Sequence, residues 1–286
     1  MANVTKKPKY QILYGIRIPT GFSFKHFTEA LNYKPKRDDV FIVTYPKCGT
    51  TWMQTIILYI FRKGRELDCQ EDFHKLCPFL DAVGTEAIFA MPRPGALKTH
   101  LPYSLMPYSA AAKYVFVARN PKDCCTSLYY HTISKPGFEY GDAEFEDFFE
   151  LFMGGEVIYN DYFDHLMSWY PHRNESNIFY ITYEDMKRNT EEVIIKIAKF
   201  LGKEYIDAIE QDSTVLRNIS KFSSFEYMKT YIPISEAREA RKWNLVRKGI
   251  VGDWRNHFSE GQSKRLQEKF LYRTKGTEIQ KWFLTE

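Results

Sequence analysis

The pattern of apolar residues predicts short buried strands that alternate with longer helices. The strand candidates are compact β-branched and aromatic runs, at Val40–Val43, Ala96–His100, Lys113–Ala118 and Asn177–Thr182. The helix candidates are longer stretches with start and stop signals, at 53–62, 121–131, 144–153, 155–170, 190–201 and 259–272, with shorter helices within 205–245. This alternation favours an α/β fold with a mostly parallel sheet covered by helices on both faces.

Two stretches are predicted to be less regular. Residues 10–36 are aromatic and loop-like, and residues 65–95 mix helix with loop. The length of 286 residues suits one large α/β domain or two small ones. Because no repeat, low-complexity tract or linker divides the chain, we expect a single domain over residues 1–286.

Composition and charge exclude several classes of protein. A net charge of +4 is too small to argue for a nucleic-acid partner. The five cysteines form no CxxC pair, and an odd count of this kind fits free thiols in a reducing compartment. The N-terminus lacks an apolar signal core, and no run of eighteen apolar residues could span a membrane. We therefore expect a cytoplasmic protein with no membrane partner.

A loop with the chemistry of a phosphate site joins the first buried strand to its helix. It reads Thr44-Tyr-Pro-Lys-Cys-Gly-Thr-Thr-Trp52 and supplies a lysine, a glycine and hydroxyl groups at a helix start, where backbone N–H groups attract anions. It is not a Walker A loop, because Thr44 and Thr50 stand where that motif needs glycine and lysine. A phosphate cradle and a plain strand–helix connection both remain open on these residues alone.

Two segments resemble the motifs of one family. Residues 45–52, Tyr-Pro-Lys-Cys-Gly-Thr-Thr-Trp, resemble the 5′-phosphosulfate loop of the cytosolic sulfotransferases, and residues 247–254, Arg-Lys-Gly-Ile-Val-Gly-Asp-Trp, resemble their 3′-phosphate signature. Two such motifs about two hundred residues apart are more specific than either alone. The resemblance implies a P-loop-like α/β sulfotransferase that moves a sulfuryl group from 3′-phosphoadenosine 5′-phosphosulfate (PAPS) to a hydroxyl or amine of a small acceptor. The resemblance further implies that the reaction releases 3′-phosphoadenosine 5′-phosphate (PAP) and needs no metal.

The resemblance also assigns the donor-binding residues. Those expected around the 5′-phosphate are Lys47, Cys48, Gly49, Thr50 and Thr51. Those expected around the 3′-phosphate are Arg119, Ser127, Arg247, Lys248 and Gly249. Those expected around the adenine are Trp52, Tyr183, Ser223, Phe225 and Met228. Taken alone, Arg119 favours a salt bridge and Trp52 is equally typical of a buried helix position.

Three residues are expected to carry the chemistry. His100, in the segment Lys98-Thr-His-Leu-Pro102, resembles the family's general base, and an imidazole suits a phenol or alcohol acceptor near neutral pH. Lys47 would stabilise the leaving oxygen, and Lys98 would place a positive charge on the sulfuryl oxygens.

The acceptor pocket around His100 is expected to be aromatic, with Phe22, Phe24, Phe79, Phe89 and Phe138, although each of these is also typical of a core. This pocket would favour phenols, catechol-type amines or other flat aromatics.

The chain departs from the family pattern at two places. Cys48 stands where a serine or another small residue is usual, and we hypothesise that this thiol, beside Lys47 and a helix start, has thiolate character. The family's dimer motif corresponds to residues 255–264, where serine, glutamate and lysine replace threonine, valine and glutamate, so a homodimer of that kind is doubtful.

Two alternative functions stay open. A nucleotide kinase-like phosphoryl transferase would need a Walker A loop and an acidic magnesium ligand, and the sequence presents neither pattern. A non-catalytic nucleotide-binding module would be expected to lack His100 or Lys47, and both are present.

Overall fold

The central element of the fold is a four-stranded parallel sheet. The computed structural model describes residues 6–67, 71–231 and 247–283; Cys69 and the end of the predicted helical segment 205–245 lie outside these ranges. The strands of this sheet are β3 (Val40–Thr44), β4 (Leu97–Thr99), β5 (Lys113–Ala118) and β6 (Ile178–Thr182). They pair in the order β4-β3-β5-β6, and every pairing is parallel. The predicted α/β fold is confirmed.

Residue alternation along the strands explains why both faces of the sheet are covered. Phe41 and Val43 of β3 belong to one buried cluster, whereas Val40 and Ile42 belong to a second cluster on the opposite face. Side chains along a strand point to alternating faces, so a strand that is apolar at every position buries both. The two hydrophobic cores are therefore separated by the sheet.

Helices cover the two faces. Those that contribute to the Phe41 cluster include α1 (Phe24–Leu31), α4 (Leu80–Phe89), α5 (Pro121–Ser134), α6 (Phe145–Met153), α7 (Tyr162–Trp169), α13 (Glu260–Arg273) and α14 (Ile279–Trp282). Those that contribute to the Ile42 cluster include α2 (Thr50–Phe61), α3 (Glu71–Leu76), α8 (Tyr183–Arg188), α9 (Thr190–Leu201), α10 (Lys203–Gln211), α11 (Ser213–Phe222) and α12 (Phe225–Tyr231).

Local sequence signals explain several helix boundaries. Asn120 accepts a hydrogen bond from the backbone N–H of Lys122 at 2.9 Å, and Pro121 occupies the first turn of α5, as the sequence predicts. Ser259 and Gln262 form a reciprocal capping box at the start of α13. Helix α5 carries residues that face the site described below.

Two sequence predictions of secondary structure need correction. Residues 10–36 are not only loop: they contain an antiparallel hairpin, β1 (Gln11–Leu13) and β2 (Ile16–Ile18), and helix α1. The predicted helix 155–170 begins only at Tyr162, because Tyr159 and Asn160 have φ angles of 59° and 61° and cannot continue a right-handed helix. This turn carries Tyr159 into the site.

The carboxyl ends of the four parallel strands lie at one edge of the sheet. Thr44 ends β3, while His100, Arg119 and Tyr183 are the first residues after β4, β5 and β6. In open α/β sheets ligands bind outside this edge. None of the helices in the described ranges has both the length and the apolar character needed to cross a bilayer.

Candidate active site

A cavity of about 530 Å³ lies at the carboxyl edge of the sheet. The loop after β3 forms its floor, with Lys47 at φ 71° and Gly49 at φ 95°. A Cβ atom on Gly49 would lie 2.8 Å from the ring of Tyr183, so this position leaves no room for a side chain. Thr50 and Thr51 open α2, where the first backbone N–H groups of a helix have no partner inside the helix. The loop is therefore built to receive an anion.

Arg119 joins this loop to the basic loop that begins at Arg247. Its guanidinium donates to the carbonyl oxygens of Lys47 at 2.9 Å and Ile250 at 3.3 Å, and it stacks on the ring of Tyr183 at 4.3 Å. Its Nε has no hydrogen-bond partner among the described residues, although Arg119 is only 7% exposed. A buried guanidinium with donor capacity to spare, at the wall of a cavity, suits a phosphate ligand.

Two aspartates hold the basic loop in place. Asp123 of α5 accepts hydrogen bonds from the backbone N–H groups of Gly252 at 2.6 Å and Trp254 at 3.0 Å. Asp253 accepts from Arg247 at 2.5 Å and from Lys248 at 2.8 Å, and these cations hold the pKa of its carboxyl well below its usual range although burial opposes the shift. The two basic side chains are thus fixed at the cavity wall before any ligand arrives.

Close packing also fixes the last glycine of this cluster. Gly249 has φ 65°, and a Cβ atom there would lie 2.5 Å from the ring of Phe225. Ser127 of α5 faces the same end of the cavity and is 9% exposed. We call this region, formed by Arg119, Ser127 and residues 247–249, together with the loop 47–51, the nucleotide end of the cavity.

The residues expected around an adenine lie together at this end. Trp52, Tyr183, Ser223, Phe225 and Met228 all line the cavity, and the rings of Trp52 and Tyr183 meet edge to face at 5.3 Å. Lys187, which the sequence did not single out, lies over the Trp52 ring at 5.2 Å and also lines the cavity. Lys187 could have been predicted from its position about one helical turn after Tyr183, which places both residues on the same face of α8.

Cys48 is the member of the expected set that does not reach the cavity. Its side chain is fully buried, its Sγ lies 3.7 Å from Sγ of Cys124, and its backbone N–H donates to the carbonyl of Tyr45 at 3.2 Å. Burial raises the pKa of the Cys48 thiol well above its usual value. The hypothesis of thiolate character is therefore corrected: burial of the thiol and its contact with Cys124 outweigh the opposing effect of the Arg119 charge.

His100 occupies the wall between the nucleotide end and an aromatic pocket. Its Nδ1 lies 2.8 Å from the carbonyl oxygen of Thr44, which can only accept, so Nδ1 carries the proton and Nε2 is left with a lone pair. Burial, with Lys98 and Lys47 nearby, lowers the pKa of His100 to about 3. The imidazole is therefore neutral near physiological pH and able to accept a proton.

A buried carboxylate that the sequence did not reveal holds His100 in position. Asp81 of α4 accepts from the backbone N–H of His100 at 3.0 Å, from Thr99 Oγ1 at 2.6 Å and from the Tyr159 hydroxyl at 2.8 Å. The Tyr159 ring also packs edge-on against the imidazole, with centroids 5.1 Å apart. Burial raises the pKa of Asp81 to about 6. No local motif marks Asp81 or Tyr159, because they meet His100 only through the tertiary fold.

The two lysines expected to act in catalysis also line the cavity. Burial, with Lys135, Arg119 and Arg247 nearby, lowers the pKa of Lys47 to about 7. Burial lowers the pKa of Lys98, whose ammonium lies 4.7 Å from the centroid of the Phe79 ring. Cations concentrated in this way favour a polyanionic ligand. The negative charge of such a ligand would raise the lowered pKa values of the two lysines and so favour their protonated forms.

The aromatic pocket beside His100 is smaller than the sequence suggested. Phe22 and Phe79 line the cavity, meet edge to face at 5.5 Å, and Phe79 contacts the His100 ring at 5.2 Å. We call this region the acceptor end. Three other expected members are absent from its wall. Phe24 and Phe89 are 60% and 62% exposed, on the outer faces of α1 and α4, and Phe138 is 2% exposed and packs in the core against Tyr10.

Two polar residues, one in α5 and one directly after it, take the place of these aromatics at the acceptor end. His131 and Lys135 line the cavity there, and neither was singled out from the sequence. Both follow Ser127 at intervals of four residues, so they share its face of the helix. This four-residue spacing is the sequence feature from which His131 and Lys135 could have been predicted.

Comparison with known proteins identifies the family. A family model described as a sulfotransferase domain matches residues 37–278. Human sulfotransferase 1C2 is 35% identical over 277 residues, with 89% of each chain covered. Mouse sulfotransferase 1 family member D1 is 36% identical over 264 residues, with 86% of this chain and 87% of the relative covered.

A solved structure agrees in fold over nearly the whole chain. The crystal structure of mouse sulfotransferase SULT7A1 complexed with PAP aligns with this chain with a TM-score of 0.79 and 28% sequence identity. The alignment covers 96% of this chain and 97% of the mouse protein's chain. The matched domain includes the loop after β3, His100 and the basic loop. The chain therefore belongs to the sulfotransferase family and is a PAPS-dependent sulfotransferase.

Proposed function

We propose that this enzyme transfers the sulfuryl group of PAPS to the hydroxyl or amine of a small aromatic acceptor, with His100 as the general base. The observation that carries the proposal is the position of His100. Its Nδ1 is engaged with the Thr44 carbonyl at 2.8 Å, and its ring lines the same cavity as the residues of the cationic nucleotide end and of the aromatic acceptor end. A base must lie where donor and acceptor meet.

The nucleotide end would hold the donor. Arg119, Ser127, Arg247, Lys248 and Gly249 would bind the 3′-phosphate, and the buried Arg119 Nε supports this assignment. The backbone of residues 49–51 and the two threonine hydroxyls would bind the 5′-phosphate. The rings of Trp52 and Phe225 would flank the adenine. Planar guanidinium groups suit the 3′-phosphate because they donate two parallel hydrogen bonds.

Three side chains would act in the transfer. His100 Nε2 would take the acceptor's proton while the acceptor oxygen or nitrogen bonds to sulfur and the bond from sulfur to the bridging oxygen breaks. Lys47 would stabilise the negative charge on that leaving oxygen, which remains on PAP, and Lys98 would neutralise charge on the sulfuryl oxygens. A bound anion that offsets Lys47 and Lys98 raises the basicity of His100, whose pKa these cations lower.

Transfer of labelled sulfate from PAPS to a panel of phenols, aromatic amines and steroids, in the presence of EDTA, tests the proposal. We expect wild-type enzyme to sulfate simple phenols, and His100→Ala to lose about 10²–10⁴-fold in kcat while it still binds PAP. His172→Ala, which removes a histidine outside the cavity, is the matched control and should retain full activity. Equal rates for His100→Ala and wild type would remove His100 from the mechanism.

Two further properties are proposed. A cytoplasmic location is supported by four buried free thiols, Cys48, Cys77, Cys124 and Cys125. A monomer, or a dimer formed through another surface, is supported by the altered segment 255–264, in which Ser259 and Gln262 serve the cap of α13 and Lys264 adds an exposed charge. Sedimentation velocity at micromolar concentration checks the second property.

A further inference from the structure

One wall of the acceptor end is attached to the N-terminal hairpin. Pro19 follows β2 directly, and both Pro19 and Phe22 line the cavity. The side-chain amide of Gln11, in β1, donates to the backbone carbonyl of Pro19 at 2.9 Å and to that of Phe22 at 2.7 Å. We call residues 19–22 the hairpin wall, because their position follows the position of the hairpin.

The hairpin is held by the side chain of Asn160, in the turn before α7. Its Oδ1 accepts hydrogen bonds from the Arg17 backbone N–H at 3.1 Å and from the Arg17 guanidinium at 3.2 Å, and its Nδ2 donates to the Gly15 carbonyl at 2.7 Å. The orientation of the amide is fixed because a backbone N–H can only donate and a carbonyl can only accept. The backbone N–H of Tyr159 also donates to the Arg17 carbonyl, at 2.8 Å. The hairpin is thus tied to this turn at its tip and along β2.

The same turn contacts His100 and the loop after β3. The Tyr159 hydroxyl donates to Asp81, which also accepts from the His100 backbone N–H, and the centroid of the Tyr159 ring lies 5.1 Å from that of the imidazole. The carbonyl of Asn160 accepts from the hydroxyl of Tyr45 at 2.8 Å, and Tyr45 is the first residue of the loop after β3. The turn therefore connects the hairpin wall with the base and with the loop that would bind the donor.

Asparagine suits this position in two ways. The φ angle of Asn160 is 61°, in the left-handed region that asparagine and glycine adopt more readily than other residues. Its amide also supplies both a donor and an acceptor to the hairpin. Glycine would keep the backbone conformation of the turn but has no amide, so Asn160→Gly separates the two roles.

We propose that Asn160 is a positioning residue for the acceptor: through the hairpin, its side chain holds Pro19 and Phe22 at a fixed separation from His100. This inference rests on the proposed function, in which the acceptor ring lies between the hairpin wall and the imidazole. A wall that is already in place loses less conformational entropy when the acceptor binds. The amide of Asn160 therefore contributes to acceptor affinity, while the base and the donor loop keep their geometry without it.

Steady-state kinetics of Asn160→Gly, with 2-naphthol as acceptor and saturating PAPS, test the inference. We expect the KM for 2-naphthol to rise about 5- to 30-fold, the range of one to two hydrogen bonds, because the acceptor must then order the hairpin wall. We expect kcat to stay within about threefold of wild type and the Kd for PAP within about twofold, the pattern of a residue that acts on acceptor binding alone.

The matched control is Asn32→Gly. It removes an exposed asparagine at the end of α1, whose amide donates to the carbonyl of Thr28 at 2.9 Å. Because Asn32 does not line the cavity, its replacement should leave the KM for 2-naphthol, kcat and the Kd for PAP unchanged.

A second variant tests the same connection from the other strand of the hairpin. Gln11→Ala removes the hydrogen bonds to Pro19 and Phe22 and leaves Asn160 in place. It should raise the KM for 2-naphthol about 3- to 10-fold. The KM of the double variant should lie within about twofold of the larger single effect, because both substitutions interrupt one chain of contacts. A wild-type KM in Gln11→Ala would overturn the inference even if Asn160→Gly did not fold.

The results that overturn the inference differ from those that overturn the proposed function. An unchanged KM for 2-naphthol in Asn160→Gly would overturn the inference alone. A loss of PAP affinity as large as the loss of acceptor affinity would do the same, because Asn160 would then support the fold as a whole. Single effects that multiply in the double variant would also overturn it, because the two residues would not act through one wall. Wild-type enzyme that transfers sulfate to no phenol would overturn the proposed function and the inference with it.

Discussion

The nucleotide end of the cavity is formed largely by loops and helix turns with fixed backbone geometry, whereas the acceptor end is formed by single side chains from separate elements. At the first, Gly49 and Gly249 are packed against Tyr183 and Phe225, and Asp123 holds the basic loop through two backbone N–H groups. At the second, Phe22, Phe79 and His131 come from different parts of the chain.

The two ends should therefore respond differently to sequence change. A loop whose backbone binds the ligand tolerates few substitutions, because its glycines and anchoring carboxylate have no replacement of equal shape. A pocket of single side chains can change its chemistry one residue at a time, as His131 and Lys135 illustrate. We therefore expect variants at the nucleotide end to affect every acceptor alike, and variants at the acceptor end to discriminate among acceptors.

Apart from the loss expected for His100→Ala, the largest effect is expected for Lys47, which belongs to the nucleotide end. Lys47→Ala should lower kcat about 10²–10³-fold for every phenol tested, because it removes a preorganised charge at the leaving oxygen. Steady-state kinetics with two acceptors of different charge measures this. A loss confined to one acceptor would show that Lys47 takes part in acceptor recognition. The two ends of the cavity would then not have separate roles.

A pH effect of up to tenfold per unit is expected in PAP binding. The pKa of Lys47 is about 7 in the ligand-free enzyme, and an anionic nucleotide favours the charged form and raises that pKa. PAP affinity should therefore be constant below pH 7 and should fall as pH rises above it, with proton uptake on binding. Calorimetric titration from pH 6 to 9 checks this. The same decline in Lys47→Ala would assign the effect to another group.

The smallest effect is expected for Tyr159, which acts through Asp81 on His100. Tyr159→Phe removes one of the three hydrogen bonds to the Asp81 carboxylate, at 2.8 Å, and leaves those from Thr99 and the His100 backbone. We expect a loss of roughly three- to tenfold in kcat, in line with one hydrogen bond, and unchanged PAP affinity.

The pH profile of the same variant identifies how Tyr159 acts. The Tyr159 hydroxyl counters the burial that raises the pKa of Asp81 to about 6. Its removal should therefore raise that pKa further and move the acid limb of the kcat profile to higher pH. An unmoved acid limb would show that Tyr159 only supports packing.

The sequence predicted most of the fold and the nucleotide end for a physical reason. Strands β3 and β5 are apolar at nearly every position because both faces are buried, and Asn120 with Pro121 is a helix-start signal that the structure retains. The loop after β3 and the basic loop are shaped by local backbone geometry, so their residues are contiguous in sequence and visible as motifs.

The acceptor end could not be predicted in the same way. Phe22 and Phe138 are alike as residue types, yet Phe22 lines the cavity and Phe138 is buried in the core. Which of them reaches the pocket depends on the turn that precedes α1 and the short 3₁₀ helix after α5, and neither leaves a periodic pattern. Asp81 likewise reaches His100 only because α4 packs beside β4.

A crystal structure of the enzyme with PAP would test the central claim, that the loop end of the cavity binds the nucleotide and the His100 end binds the acceptor. We predict that the 3′-phosphate contacts Arg119, Ser127 and the basic loop, the 5′-phosphate lies on residues 47–51, and the adenine packs against Trp52. The pocket beside Phe22, Phe79 and Lys135 should stay clear of the nucleotide. Adenine or a phosphate bound in that pocket would contradict the account.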